Sequence, residues 1–201
     1  MVLSVLLSST TGGESADFWK GYEAYQKKDY ATALREFKPL AEKGHAQAQN
    51  MLGWMYYYGE GVPQSYKTAV KWYRLAAEQG HAYAQYWLAE MYQDGKGVLQ
   101  NYVYAHMWYN VCASQGPEDP DKDLREIELE RRDIAAGARD RIAKEMSPSQ
   151  IEKAQELATD WSPFIRLHTP SEHITSSTPS LSSLIFLVNV WRKSTKDMTE
   201  F

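Results

Sequence analysis

Glu90 and Asp94, five histidines and the single Cys112 are the side chains of this chain best suited to chemistry. On a helix, four-residue spacing puts the two carboxylates on one face, the arrangement a hydrolase uses for general acid–base work. The same spacing also describes a solvated helix edge or a seat for a basic ligand group. His45 and His81 stand 36 residues apart at equivalent places in an internal repeat, so at least one helix-packing step of about 8–10 Å keeps them out of a common metal shell. Each is expected to cap or follow a helix end. His106 is expected at a surface or partly buried place on a second helix. Cys112 stands where the preceding repeat has Ala76 and reads as a small buried side chain, since spacing sets no histidine beside it. One cysteine supplies neither an intrachain disulfide nor a thiolate zinc site. The sequence holds no phosphate loop, metal cluster or nucleophile elbow, so no catalytic residue, metal or cofactor is expected.

Aromatic residues are the more unusual resource. The 201 residues include 14 Tyr and 7 Trp against 5 Phe, a preference for rings with a polar handle that suit half-wet surfaces. Lys and Arg total 22 against 26 Asp and Glu, a net charge of −4 with a pI near 5.8. That balance gives no basic footprint for nucleic acid or an anionic membrane surface.

These rings are carried by a repeat. His45 to Gly80 laid over His81 to Gly116 gives an offset of 36 with 18 of 36 positions identical. Unrelated segments of mixed composition would share about two. Ala48, Leu52, Met55 and Tyr56 recur as Ala84, Leu88, Met91 and Tyr92, at i, i+4, i+7 and i+8 of an amphipathic helix. Ala69, Trp72, Tyr73 and Ala76 form a second stripe, and Trp72 and Tyr73 recur as Trp108 and Tyr109. Between the helices lies Gly59-Glu60-Gly61-Val62-Pro63-Gln64, repeated as Gly95-Lys96-Gly97-Val98-Leu99-Gln100. Gly59 and Gly95 suit left-handed helix ends, Gly61 and Gly97 the reversal after them, and Ser65 and Asn101 are expected N-caps. Gly80 and Gly116 are expected to end the second helices. An earlier copy (Tyr30, Ala33, Phe37, Ala41, Gly44) has a loop about four residues tighter, Gln26-Lys27-Lys28-Asp29.

The run Ala-Gln-Asn-Met-Leu-Gly-Trp-Met-Tyr (48 to 56), the Gly-Glu-Gly-Val-Pro-Gln loop and Ala-Val-Lys-Trp-Tyr-Arg-Leu-Ala-Ala-Glu-Gln-Gly-His resemble the Sel-one-like repeat, a relative of the tetratricopeptide repeat. The resemblance covers about Asp17 to Gly116. It implies an all-α fold, a right-handed α-solenoid of helix-turn-helix units, acting as a non-catalytic adaptor that binds other proteins. The expected organisation is a leader at 1–16, hairpins at 17–44, 45–80 and 81–116, capping helices at 117–161 and a largely disordered Ser/Thr-rich tail at 162–201.

In such an array the first helices line the concave side. Tetratricopeptide geometry then assigns groove positions to Phe18, Tyr22 and Tyr25 in the first repeat, Gln47, Asn50, Trp54, Tyr57 and Tyr58 in the second, and Tyr83, Tyr86, Glu90, Gln93 and Asp94 in the third. The expectation is an aromatic groove that holds a peptide or protein. The alternatives are rings packed between repeats, Tyr86 among them, and a cell-envelope glycan stacked on the same rings.

Outside the repeat, residues 121–145 hold eight acidic and seven basic side chains with a sparse apolar stripe, Leu124, Ile127, Ile134, Ala138 and Ile142. This pattern marks a solvated helix. Ser147-Pro148-Ser149-Gln150 combines an N-cap, a first-turn proline and a capping-box Gln. Ile151, Ala154, Leu157, Ala158 and Trp161 then give an apolar face to seal the last repeat. Met1-Val2-Leu3-Ser4-Val5-Leu6-Leu7 has the apolar core of a stunted secretory signal without its positive start. It reads either as an eroded signal, placing the protein in a bacterial periplasm or outside the cell, or as a plain leader. No stretch has the ~20 apolar residues of a membrane span.

Overall fold

The structure is a computed structural model that describes residues 11–114 and 122–168. Among the described residues every regular element is a helix: α1 (Thr11–Gln26), α2 (Tyr30–Glu42), α3 (Ala46–Tyr58), α4 (Tyr66–Glu78), α5 (Ala82–Asp94), α6 (Tyr102–Ser114), α7 (Lys122–Ala143) and α8 (Pro148–His168). Each packs on its neighbour in sequence up to α6, and α6 is then covered by both α7 and α8. Three hairpins and a closing pair thus form an all-α solenoid. Two boundaries differ from expectation. Helix α1 reaches back to Thr11, so residues 11–16, expected within the leader, are helical, and α8 runs seven residues past Trp161. Leader residues 1–10, Gly116 and the tail beyond 168 lie outside the described residues. None of the described helices is long and apolar enough to cross a membrane.

Local chemistry sets the helix ends. Gly59 and Gly95 take the left-handed conformation at φ 74° and 68° and close α3 and α5. Ser65 accepts from the Thr68 N–H and Asn101 from the Tyr104 N–H, as N-caps of α4 and α6. The ring Nδ1 atoms of His45 and His81 accept from the Ala48 and Ala84 N–H groups, both at 3.3 Å, so these histidines are helix caps. Ser147 and Gln150 exchange the two bonds of a capping box at the start of α8.

The loops also join one hairpin to the next. Gly61 is at φ 72°, and a Cβ there would stand 2.5 Å from Cβ of Tyr30, the first residue of α2. Gly97, at φ 74°, would meet the Tyr66 carbonyl carbon at 2.4 Å. Each loop therefore lies backbone to backbone against the second helix of the preceding hairpin. Helix α3 then sends the Gln49 amide back to the Ala41 carbonyl at 3.0 Å, and α5 sends Gln85 to Ala77 at 3.2 Å, satisfying carbonyls at helix ends.

Ala48, Leu52 and Met55 bury themselves against the preceding hairpin, as do Ala84, Leu88 and Met91. The shorter first loop puts α1 thirty-two residues behind α3, which the structure confirms: Phe37 covers Gly21 as Tyr73 covers Gly53. In that register Lys20 and Glu23 stand in place of the leucine and the methionine. Both are exposed, and Lys20 pairs with Glu36 at 2.8 Å. At the other end Ala154, Ala158 and Trp161 of α8 are buried, with the Trp161 ring 5.1 Å from Trp108. Among the described side chains of α7, Ala135, Ala138 and Ile142 are buried. Ile134 is exposed instead, because the adjacent Ala135 lets α7 approach closely and turns position 134 to solvent. The side chains of Leu124 and Ile127 lie outside the described residues.

Two predictions follow from this packing. Gly97→Ala should cost at least about 2–3 kcal/mol in urea unfolding, since it adds backbone collision to left-handed strain. Gly44→Ala, at φ 97° in open space, should cost only about 1–2 kcal/mol. The second concerns His81, whose imidazole is held down to about 4 by burial, then by the charge of Arg131. A depressed histidine stabilises the fold fully above its unfolded value near 6.5, and that contribution drains away between there and about 4. Stability should therefore fall from pH 6.5 to 4.5, by up to about 1.4 kcal/mol per pH unit. His81→Asn, which keeps a capping side chain without the titration, should flatten that slope in thermal melts.

Candidate functional site

Helix α3 presents Asn50, Gly53, Trp54 and Tyr57 on one face. With no side chain at Gly53, the Tyr73 ring of α4 lies across this face; a Cβ at Gly53 would stand 2.6 Å from it. Around the crossing, rings gather from two repeats. Trp54 lies 4.6 Å from Tyr58 and 5.3 Å from Trp87 of α5, and Tyr57 lies 4.9 Å from Tyr58 and 5.3 Å from Trp87. Trp87 also runs nearly parallel to Tyr73 at 6.4 Å. Trp54, Tyr57 and Trp87 are half-buried and Tyr58 is exposed, so the cluster has a buried floor and a solvent face.

Loop residues fix the rim. Glu60 accepts from the hydroxyls of Tyr25 at 2.5 Å and Tyr30 at 3.1 Å, and one repeat later Lys96 donates to the Tyr57 hydroxyl at 3.0 Å. Tyr25 and Tyr57 are register equivalents, so the same contact is made once with an acid and once with a base. Burial and then the Glu60 bond raise the Tyr25 hydroxyl well above the usual tyrosine value. Lys96 is raised by its bonds to Tyr57 and to Asp94, the latter at 2.9 Å.

The third repeat is more polar. Tyr109, equivalent to Tyr73, donates to Glu90 at 2.5 Å, with Gln93 Oε1 3.2 Å from the same hydroxyl. Tyr86 packs 5.7 Å from Tyr109, and burial followed by Glu90 pushes its hydroxyl up to about 12. In the second repeat Trp54 occupies the register of Glu90. The Tyr73 hydroxyl, fully buried, makes no hydrogen bond within the protein.

Of the sequence-based groove residues, Trp54, Tyr57, Tyr58 and Tyr86 are brought together around Trp87, and Asn50 is half-buried on α3. Tyr22 and Tyr25 extend the row along α1, with Tyr22 edge-on to the exposed Trp19 at 5.8 Å. Gln47 is exposed at the start of α3. Tyr83 is exposed but covered on one face by Arg131 of α7, 3.8 Å from its ring centroid. Phe18 departs from the expectation: it is buried, 5.6 Å from Phe37 and 5.3 Å from His45, because Gly21 draws Phe37 close to α1 and opens a core seat for it. Glu90 and Asp94 do not form an acid–base pair; one serves Tyr109 and the other Lys96. His106 is buried rather than at the surface, and Cys112 is buried with its thiol raised to about 11 by desolvation. Among the described residues no group of three or more His, Cys, Asp or Glu is placed to hold a metal. The sequence reading missed Trp87, Glu60 and Lys96. Their signal was present as mismatches in the repeat, Trp87 against Met51 and Glu60 against Lys96.

An array of helical hairpins, two of them turned by Gly-x-Gly loops that seat on the preceding hairpin, closed by two further helices, defines the class: an α-solenoid repeat protein. The Sel1 repeat family matches residues 46–81 and 82–117. The chain belongs to the Sel1-repeat family. Among solved structures it is similar to c5321, a protective antigen of uropathogenic Escherichia coli strains displaying an SLR fold, at 26% identity and a TM-score of 0.61 over 85% of this chain. It spans 35% of that chain's length. A Sel1 repeat protein from Oxalobacter formigenes is 32% identical, covering 60% of this chain and 90% of that one, with a TM-score of 0.48. No curated protein matches the sequence. Sel1 repeats generally serve as protein-interaction scaffolds and are typically non-catalytic.

The contrast between Tyr73 and Tyr109 gives a direct check. Tyr109→Phe removes a charge-assisted bond to Glu90 and should cost about 1–3 kcal/mol in urea unfolding. Tyr73→Phe removes a buried hydroxyl without a protein partner and should be neutral or stabilising.

Proposed function

We propose that this protein is a non-catalytic adaptor whose concave face binds a peptide segment of a partner protein, with Trp54, Tyr58 and Trp87 as the apolar anchor. The observation that carries this reading is the ring cluster itself: three large aromatic side chains from two repeats share a solvent face beside hydrogen-bonding side chains. Interfaces concentrate their binding energy in such Trp and Tyr anchors.

Ring orientation favours a peptide over a glycan. Sugar faces stack on coplanar, open rings, whereas Trp54 and Trp87 stand at 88° and Tyr57 and Tyr58 at 65°. Rings set edge to face in this way offer no flat platform and suit apolar side chains better than a sugar face. Polar groups at the rim, Lys96, Gln93 and the tyrosine hydroxyls, fit a peptide backbone. The site residues offered for this role are Tyr22, Tyr25, Asn50, Trp54, Tyr57, Tyr58, Tyr86 and Trp87, with Glu90 and Gln93 at the polar end.

The test is capture of partners from a lysate by wild type and by the Tyr22, Trp54, Tyr57 triple alanine variant, with helicity followed by circular dichroism. Loss of a specific partner at unchanged helicity is expected. Trp54→Ala alone should weaken the recovered partner at least tenfold, about 1.4 kcal/mol or more. Undiminished capture by the triple variant would overturn the groove as the binding face.

A further inference from the structure

The third repeat carries a carboxylate that the protein supplies with hydroxyls but with no cation. Tyr109 donates to Glu90 Oε1 at 2.5 Å, and Tyr86, whose ring packs 5.7 Å from Tyr109, is close enough for Glu90 to add to the effect of burial on its hydroxyl. Both partners are neutral. Among the described residues the half-buried Glu90 enters no ion pair. Arg141 of α7 also acts on Tyr86, but its Nη1 lies back along its own helix, 3.7 Å from where a Cβ of Gly137 would stand. Donors run short at the same point. Gln93 Oε1 is 3.2 Å from the Tyr109 hydroxyl, whose single proton already goes to Glu90, so two acceptor oxygens converge on one donor. The other acids of this face are better provided for: Glu60 has a tyrosine hydroxyl on each oxygen, and Asp94 has Lys96 at 2.9 Å.

This carboxylate adjoins the apolar anchor. Trp87 stands one turn before Glu90 on α5, a spacing that sets the two Cβ atoms about 5–6 Å apart on neighbouring lines of the helix surface. Trp87 in turn meets Trp54 at 5.3 Å. Ring contacts run without a break from Trp54 through Trp87 and Tyr86 to Tyr109, the residue that holds Glu90. The seat for an apolar side chain and the acid without a cation are thus neighbours on one surface.

We propose that Glu90, with Gln93 beside it, is the specificity subsite of the groove and takes the guanidinium of a ligand arginine two residues along from the apolar side chain seated on Trp54 and Trp87. This rests on the reading of the aromatic face as a peptide groove. A guanidinium brings the missing charge and five N–H donors in one plane, enough for the oxygens of both Glu90 and Gln93. In an extended segment, side chains two apart share a face at about 6.5 Å, which matches the step from Trp87 to Glu90. The planar head also stacks on aromatic rings, as Arg131 does on Tyr83 at 3.8 Å, and Tyr86 and Trp87 stand beside the carboxylate to receive it. An acidic ligand side chain is disfavoured: the groove and rim set Glu60, Glu90 and Asp94 against Lys96, which is already engaged by Asp94 and Tyr57.

The experiment is random-peptide phage display on full-length wild type, Glu90→Gln and Trp54→Ala. The selected peptide and its version with arginine replaced by citrulline, which keeps the shape without the charge, are then titrated by tryptophan fluorescence. Wild type should enrich arginine two positions from an apolar residue. Glu90→Gln, which keeps an acceptor for Tyr109 and so should fold, should lose that enrichment and bind the arginine peptide about tenfold more weakly. The citrulline peptide should bind both proteins equally, because only a direct charge contact distinguishes the two peptides; a merely structural Glu90 would weaken both alike. A wild-type consensus without arginine, equal loss of both peptides in Glu90→Gln, or undiminished affinity of that variant for the arginine peptide would sink the subsite while leaving the groove standing. Equal binding of the two peptides by wild type would do the same, so the outcome does not depend on the variant folding. Selection by Trp54→Ala as strong as by wild type, or no enrichment by wild type, would instead remove the groove reading on which it rests.

Discussion

Everything in this array depends on how closely a loop can approach the helix before it. The Gly-x-Gly segments lie against the first residues of the preceding second helix at distances that a single methyl group would violate. That contact sets the pitch between hairpins, and the pitch decides which side chains of successive first helices meet. Trp87 reaches Trp54 and Tyr58 because Gly97 has already seated its own hairpin on Tyr66. The interaction is backbone against backbone, so it is insensitive to the side chains around it. The residue between the glycines is thus free to be Glu60 in one loop and Lys96 in the next.

The same constraint sorts the aromatic residues into two populations. Tyr73, Tyr109, Trp108 and Tyr92 recur with the repeat and fill the space between paired helices, where burial of large rings supplies much of the stabilisation. Trp54, Tyr57, Tyr58 and Trp87 do not recur, and they meet at one surface. Within the first helices, divergence between the matched repeats therefore changes what this face presents. The second and third repeats share their scaffold and differ in what they present: one apolar and ring-lined, the other built on Glu90 and its tyrosines.

Fold and helix ends were legible in the sequence because the residues that set them act locally. Glycine at 59, 61, 95 and 97, Ser65, Asn101 and the Ser147–Gln150 box each imply a backbone geometry regardless of what surrounds them. Helix pairing was legible because the apolar period repeats. The site was only partly so. Trp54, Tyr57 and Tyr58 follow from register, but Phe18 obeys the same register and is buried, since Gly21 lets Phe37 approach and capture it. Trp87 was hidden because its counterpart, Met51, reads as core packing. Side-chain contacts across repeats, such as Glu60 to Tyr25, depend on the pitch and on rotamers that no spacing rule encodes. Ile134 fails for a related reason: a small neighbour, Ala135, won the contact on α7.

Lys20 and Glu23 have one more consequence. By standing where later repeats have leucine and methionine, they make the outer face of α1 costly to cover with another hairpin, while α8 closes the opposite end. Across the described residues the proposed groove thereby has a definite span. Three first helices at about 10 Å spacing give a track of roughly 20–25 Å, which an extended chain covers in about seven residues. In the proposed role a partner segment would be measured as well as read: a longer one would leave the track at one end, and a shorter one would forfeit either the rings of the middle repeat or the acids of the third.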